Sequence, residues 1–273
     1  MDAAPSYALR NLADSALSRG LAALGRGEVD AFVSAGNTGA VLAFSLRHIS
    51  RIAGIPRPAI AVILPSKGQE TVLLDAGANA DCNAEFLLGF ARIGTALSRA
   101  LLDVAEPTVG LVNIGEEETK GDGLRKEAFS LFSKSVQNFV GNVEPTHLLD
   151  GCVSVLVTDG FSGNLILKTL EGAASTMTGI IKEALSRNVA GKIAGFLARS
   201  SLKQELSRFN YEKYGGSLLA GLDKPVVIAH GRSTPMALAH ALLFAAQVAR
   251  ADVASLIREE LAGTTAKGQP DTS

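Results

Sequence analysis

The stretch Val153–Gly172, VSVLVTDGFSGNLILKTLEG, decides the fold. An apolar, β-branched run stops at Asp159-Gly160, a Gly/Ser/Asn turn follows, and a helical pattern starts at Gly163. This is how a buried strand delivers polar groups to the mouth of an α/β sheet. The pattern recurs at Asp30–Leu42 (DAFVSAGNTGAVL), Thr71–Cys82 (TVLLDAGANADC) and Thr108–Gly121 (TVGLVNIGEEETKG). Four strand ends rich in Gly, Asn, Asp and Lys, expected to converge on one sheet edge, predict a small-molecule crevice.

Outward from these turns, the spacing predicts helices over Ala8–Leu24, Thr38–Ile49, Ala84–Leu102, Gly123–Ser135, Gly163–Ser186, Val189–Arg208 and Pro235–Leu261. Strands are expected at Asp30–Val33, Ala59–Leu64, Thr71–Leu74, Thr108–Val112, Phe139–Val140, Val153–Val157 and Val226–Ala229. Strands alternating with helices of this length argue for an open, largely parallel α/β sheet covered on both faces. The expected organisation is one domain over residues 1–263 and a disordered tail over 264–273. A helical hairpin at about 180–210 is expected to project from the domain.

Composition narrows the function. The chain has 273 residues, 47% of them hydrophobic, and a net charge of −1. That balance argues against a general nucleic-acid binder. Two cysteines, Cys82 and Cys152, make no disulfide framework and point to a reducing cytoplasm. No apolar run reaches the ~18–20 residues of a membrane span, and the first residues lack the apolar core of a signal peptide.

Seven motifs then occur in order: AFVSAGNTGA, LLDAGANAD, GLVNIGEEETKG, FVGNVE, TDGFSGNLILKTLEG, YGGSLLAGL and AHGRST. Together they resemble the bacterial phosphate acyltransferase family over Met1 to about Leu261. The resemblance implies transfer of a fatty acyl group from acyl-acyl carrier protein to inorganic phosphate, giving acyl phosphate for phospholipid synthesis. It also implies an architecture like that of the isocitrate/isopropylmalate dehydrogenases and a homodimer. Peripheral contact with the inner face of the membrane and a downstream glycerol-phosphate acyltransferase partner are further implications. Neither metal nor cofactor is implied. The first residues, MDAAPSYALRNLADSAL, resemble an internal segment of the family, downstream of an Asp-Ala-Met-Gly-Gly-Asp turn that helps line the site. A start assigned too late is the expectation, with a true truncation as the alternative.

The implied reaction needs phosphate held as a nucleophile, a polarised thioester carbonyl and a leaving thiolate. Positioning and oxyanion stabilisation carry it, without a side-chain nucleophile. Lys120 and Asn164 are the expected catalytic pair, Lys120 neutralising phosphate and oxyanion and Asn164 donating to the oxyanion. Ser34, Gly36, Asn37, Thr38, Asn79, Gly160, Ser162, Gly163 and Lys168 are expected to hold phosphate. Some of these do so through amides at helix N-termini, where an anion is favoured. On pattern alone SAGNTGA reads as a plain βα turn capped by Thr38; the resemblance reverses that preference. Asp75 and Asp159 are expected to orient neighbouring Lys or Asn side chains, and Asp81 to cap a helix. Cys82, entering a helix, is expected to have a lowered pKa yet no catalytic part.

The remaining candidates are weaker. Glu116 and Thr119 depart from the family's Thr-Glu-Glu-Gly-Lys-Gly pattern, and Arg232 from its usual residue. His230 reads as a turn or core histidine. Lys182–Arg208 holds six bases against two acids, interleaved with apolar residues. That suits an anionic membrane surface or an acidic carrier protein, through Lys192, Ile193, Phe196, Leu197 and Arg199. The rival readings are a phosphotransacetylase acting on coenzyme A thioesters, more distantly a dehydrogenase of the same architecture, for which the chain lacks a full G-x-G-x-x-G fingerprint after a strand, and an inactive chain that only docks to membrane or partner.

Overall fold

The computed structural model describes residues 7, 9, 11–208, 215–231 and 233–266. Eight strands form one sheet in the order β1-β8-β7-β2-β3-β6-β4-β5. They are β1 (Phe32–Ser34), β2 (Ala59–Leu64), β3 (Thr71–Leu74), β4 (Val109–Val112), β5 (Phe139–Val143), β6 (Val155–Val157), β7 (Ser217–Ala220) and β8 (Val226–Ile228). The helices are α1 (Ala16–Gly25), α2 (Thr38–His48), α3 (Ala84–Leu102), α4 (Gly123–Ser135), α5 (Gly160–Ser186), α6 (Val189–Arg208), α7 (Pro235–Arg250) and α8 (Val253–Ala266).

The sheet has two parallel groups, β1–β8 and β3–β6–β4–β5. Between them β8–β7, β7–β2 and β2–β3 are antiparallel. Three reversals make the two groups run in opposite directions. The expected convergence of all four strand ends on one edge is therefore corrected. The ends of β3, β4 and β6 share an edge, whereas β1 points the other way. β7 was not foreseen as a strand. Gly215 and Gly216, both with positive φ, lead into it, and its four residues are too short to show a period.

Cores fill both faces of the sheet. β2 and β3 are buried almost throughout, which explains why they read as continuous apolar runs rather than alternating ones. α3 is the central helix. Gly94 lets it approach the sheet, because a Cβ there would collide with Val155 and Leu74. Its cap is Asn83, whose side chain accepts from the Phe86 N–H at 2.9 Å, and not the expected Asp81. The predicted closing helix is two helices. Asp252 takes φ 44° between them, and its carboxylate meets the Ser255 N–H at 3.4 Å, starting α8. α8 runs to Ala266, past the expected start of a tail at 264; residues 267–273 lie outside the described residues.

Only the first turn of α5 is buried, at Gly160 and Gly163. Beyond Glu171, no described residue of α5 or α6 is buried, and the two helices pack on each other. No single helix among the described residues is long and apolar enough to cross a membrane.

Candidate active site

Two clefts are prominent. The larger, about 720 Å³, lies between α3, α4 and α8 and contains none of the residues singled out in the sequence. The smaller, about 400 Å³, crosses the face of β2 and gathers loops from both strand groups. One part of its lining is apolar, with Ile60, Val62, Ile63, Leu167 and Ile228. The other part presents Gly36, Thr38, Gly77, Asn164, Lys168, Glu171 and His230. We take this second cleft as the candidate site because its chemistry, not its size, matches the motifs.

Asp75 organises the floor. It is fully buried and accepts five N–H donors. Oδ1 takes the amides of Ile60, Gly77 and Ala78 at 2.9–3.0 Å, and Oδ2 takes the amide and side chain of Asn79 at 2.7 and 2.8 Å. Burial pushes its carboxyl above the ordinary value, against the pull of these donors. The donor set admits only an acceptor on both oxygens, so the geometry favours the carboxylate. Asp75 thus orients Asn79. The Asn79 amide also donates to the Pro58 carbonyl at 2.8 Å, which commits both its protons inside the protein rather than to a phosphate.

The start of α5 lies on this floor. The Gly160 N–H donates to the Asn79 carbonyl at 2.8 Å. A Cβ at Gly160 would meet Asn79 backbone at 2.6 Å, and one at Gly163 would collide with the Asp75 carbonyl. Both glycines therefore serve close backbone approach. Their closeness places Asn164 against Gly77, with the Asn164 Cβ 3.5 Å from where a Gly77 Cβ would stand.

Each helix start near the site carries its own cap. Asn37 accepts from Ala40 N–H at 3.0 Å, where Thr38 had been the expected cap on pattern alone. Ser34 accepts from Gly36 N–H at 3.1 Å. Asp159 accepts from Ser162 N–H at 2.9 Å. Its other oxygen pairs with Arg125, not with Lys120 or Asn164 as expected. Burial raises the Asp159 pKa, but the Ser162 hydrogen bonds and the Arg125 charge outweigh it and leave the carboxyl below its ordinary value. Sequence reading missed Arg125. Its one local signal was Asp122 three residues earlier, at N-cap spacing.

Lys120 follows β4, at the same edge as Asn164, but it does not line the cleft. Its side chain is 49% exposed and its Nζ lies 3.9 Å from Glu117. Lys168 lines the cleft and pairs with Glu171 at 2.9 Å. His230, read as a turn or core histidine in preference to a general acid, lines the cleft as well. Arg232 lies outside the described residues. The Cys82 thiol is pushed up to about 11, chiefly by burial, which corrects the expected lowering. It donates to the Asn79 carbonyl at 3.5 Å and stays protonated near neutrality.

A family model described as fatty acid synthesis protein matches residues 1–256. A phosphate acyltransferase from Thermoanaerobacterium thermosaccharolyticum is 44% identical over 257 residues, covering 94% of this chain and 77% of that protein. One from Thermoanaerobacter pseudethanolicus is 45% identical over 260 residues, covering 95% and 78%. Among solved structures, a branched-chain phosphotransacylase from Enterococcus faecalis aligns with TM-score 0.56 at 14% identity, covering 85% of this chain and 78% of that one. A phosphotransacetylase from Streptococcus pyogenes aligns with TM-score 0.52 at 16% identity, covering 88% and 66%. At such identity these two show the fold alone.

Proposed function

The chain belongs to the fatty acid synthesis protein family, and from that premise we propose that it moves a fatty acyl group from acyl carrier protein to inorganic phosphate. It is an acyltransferase whose acceptor is phosphate. The single observation that carries the reading is the cleft over β2. It sets an apolar wall for the start of an acyl chain beside donors and a cation for an anion.

In this reading a phosphate oxygen attacks the thioester carbonyl, a C–O bond forms, and the C–S bond breaks. The thiolate leaves and takes a proton from solvent, and acyl phosphate remains. Asn164 donates to the carbonyl oxygen as it gains charge, which a positioned donor stabilises by about 3–4 kcal/mol. Lys168, with the Gly36 and Thr38 turn, holds phosphate. Lys120, outside the cleft and beside Glu117 as it stands, swings in from the β4 loop to balance the charge of phosphate and oxyanion. Gly160, Gly163, Asp75 and Asp159 act by fixing where Asn164 stands. Ser34, Asn37 and Asn79 shape the turns, and Ser162 joins the start of α5 to Arg125.

The exposed helical pair extends the proposal. Phe196 and Leu197 are 76% and 75% exposed among the basic residues Lys192 and Arg199. Such a surface suits the acidic carrier protein, or peripheral contact with an anionic inner membrane face from the cytoplasm. A homodimer and hand-over to a glycerol-phosphate acyltransferase complete this reading.

The test is phosphate-dependent release of free thiol from long-chain acyl-acyl carrier protein, with coenzyme A thioesters in parallel. Release from the carrier-protein substrate that needs phosphate supports the proposal. Preference for the coenzyme A thioester replaces it with a phosphotransacetylase. A folded chain that binds anionic vesicles and releases no thiol replaces it with a docking protein.

A further inference from the structure

We propose that Arg125 is a positioning residue that locks two helix starts, those beside Lys120 and Asn164, into one register. The inference rests on the roles just given to those two residues.

β4 and β6 are adjacent and parallel, so α4 and α5 begin side by side at the same edge. Each begins at a capping aspartate. Asp122 Oδ1 accepts from the Arg125 N–H at 2.9 Å, and Asp159 Oδ1 accepts from the Ser162 N–H at 2.9 Å. The second oxygen of each carboxylate points to the same guanidinium. Arg125 Nη1 donates to Asp122 Oδ2 at 3.0 Å, and Nη2 donates to Asp159 Oδ2. Nη2 also reaches Ser162 Oγ at 3.0 Å and Thr158 Oγ1 at 3.4 Å. Arg125 is 13% exposed and Asp159 6%.

One planar fork thus joins two N-caps that would otherwise repel each other. A lysine ammonium carries the charge but lacks the fork that engages two carboxylates in fixed directions. Lys120 lies two residues before Asp122, and Asn164 lies five residues after Asp159. The distance between the two proposed catalytic side chains is therefore set through Arg125. Nothing in the cleft needs Arg125 itself, because it does not line it.

The test uses Arg125→Lys and Arg125→Ala in the full chain. Thiol release is measured together with amide hydrogen exchange. A shift of about 1 Å in a catalytic group costs up to about a hundredfold. Turnover is therefore expected to fall at least about tenfold in Arg125→Lys, with KM for phosphate within about threefold. Exchange at Ser162–Asn164 is expected to rise, while that of the α3 amides holds. Lys120→Ala should cost less in the Arg125→Lys background than in the parent, since both act through one geometry. Turnover within about threefold of the parent overturns the proposal. So does a turnover loss with unchanged exchange, which would mean a direct role. If the parent chain itself releases no thiol, the acyl-transfer reading has failed. Exchange then decides the register alone: a rise confined to the two helix starts supports it and no change overturns it. If Arg125→Ala does not fold, Arg125→Lys still decides.

Discussion

Gly163→Ala isolates what the α5 start does. Its added methyl would collide with the Asp75 carbonyl oxygen and crowd Thr158. A carbon–oxygen contact relaxes only near about 3.3 Å, so one side must move by roughly 1 Å or more. Asp75 cannot give way, because five donors hold its carboxylate. The helix must lift instead. Lifting strains the Gly160–Asn79 hydrogen bond and the Asp159–Arg125 pair. The expected cost is about 2–4 kcal/mol, from overpacking plus one weakened hydrogen bond. Asn164, one residue on, moves with the helix, and turnover is expected to drop by about a hundredfold. Denaturant midpoints and thiol release measure the two effects on one sample. Gly172 and Gly179 are controls in the same helix, since a Cβ there meets nothing within 4 Å. Gly172→Ala should stabilise by about 0.5–1 kcal/mol. A Gly163→Ala chain of parental stability and activity would refute the close-approach argument.

Other expectations follow from the same site. Lys120→Ala should lower turnover at least about tenfold with the fold intact, and Asn164→Ala by about 10²–10³, as for the loss of one oxyanion donor; unchanged thiol release removes either residue from the mechanism. Glu171→Gln frees Lys168 from its 2.9 Å partner, so KM for phosphate should fall several-fold; a rise would mean that Glu171 orders Lys168 for phosphate rather than competing with it. Asp159, with its pKa below the ordinary value, contributes stability that is present above the unfolded carboxylate pKa and lost as pH falls through the folded one. Asp159→Asn should therefore flatten the acid limb of stability below about pH 4, measured by denaturant midpoints from pH 7 to 3.

The turns were legible because their chemistry is local. Asp159 and Gly160 mark a strand end and a helix start in any context, and the Gly, Asn and Ser around them carry the conformational demand. β2 and β3 were legible because burial on both faces leaves uninterrupted apolar runs. What stayed hidden depends on neighbours distant in sequence. β7 pairs with β2, about 160 residues earlier in the chain, and its pairing inverts one strand group against the other. No local period encodes that direction. Arg125 looks like any polar residue in the first turn of a helix, and its value comes from Asp159, 34 positions away. Asn79 looked like a ligand because its motif is polar. Its commitment to Pro58 and Asp75 appears only once β2 and β3 lie side by side.

The capping pattern also decides how phosphate can be held. The sequence led to an expectation of helix N-termini open to an anion. In the fold, three helix starts near the site, one after β1 and two on the β4–β6 edge, are closed by their own side chains, Asn37, Asp122 and Asp159. Two of those caps are carboxylates, which cancel the positive end of the helix for any arriving anion. The Gly160 amide is taken by Asn79. In the proposed reaction the charge of phosphate is then met by side chains that can be released or swung in, Lys168 from Glu171 and Lys120 from Glu117. Both lysines rest on a glutamate three residues away: Lys120 in an exposed pair worth up to about 1 kcal/mol, Lys168 in a partly covered one whose Glu171 side chain is 18% exposed. A dianion outcompetes such partners easily. On the proposed function, rigid elements (Asp75, Arg125 and the glycine contacts) set the geometry, and movable cations neutralise the charge.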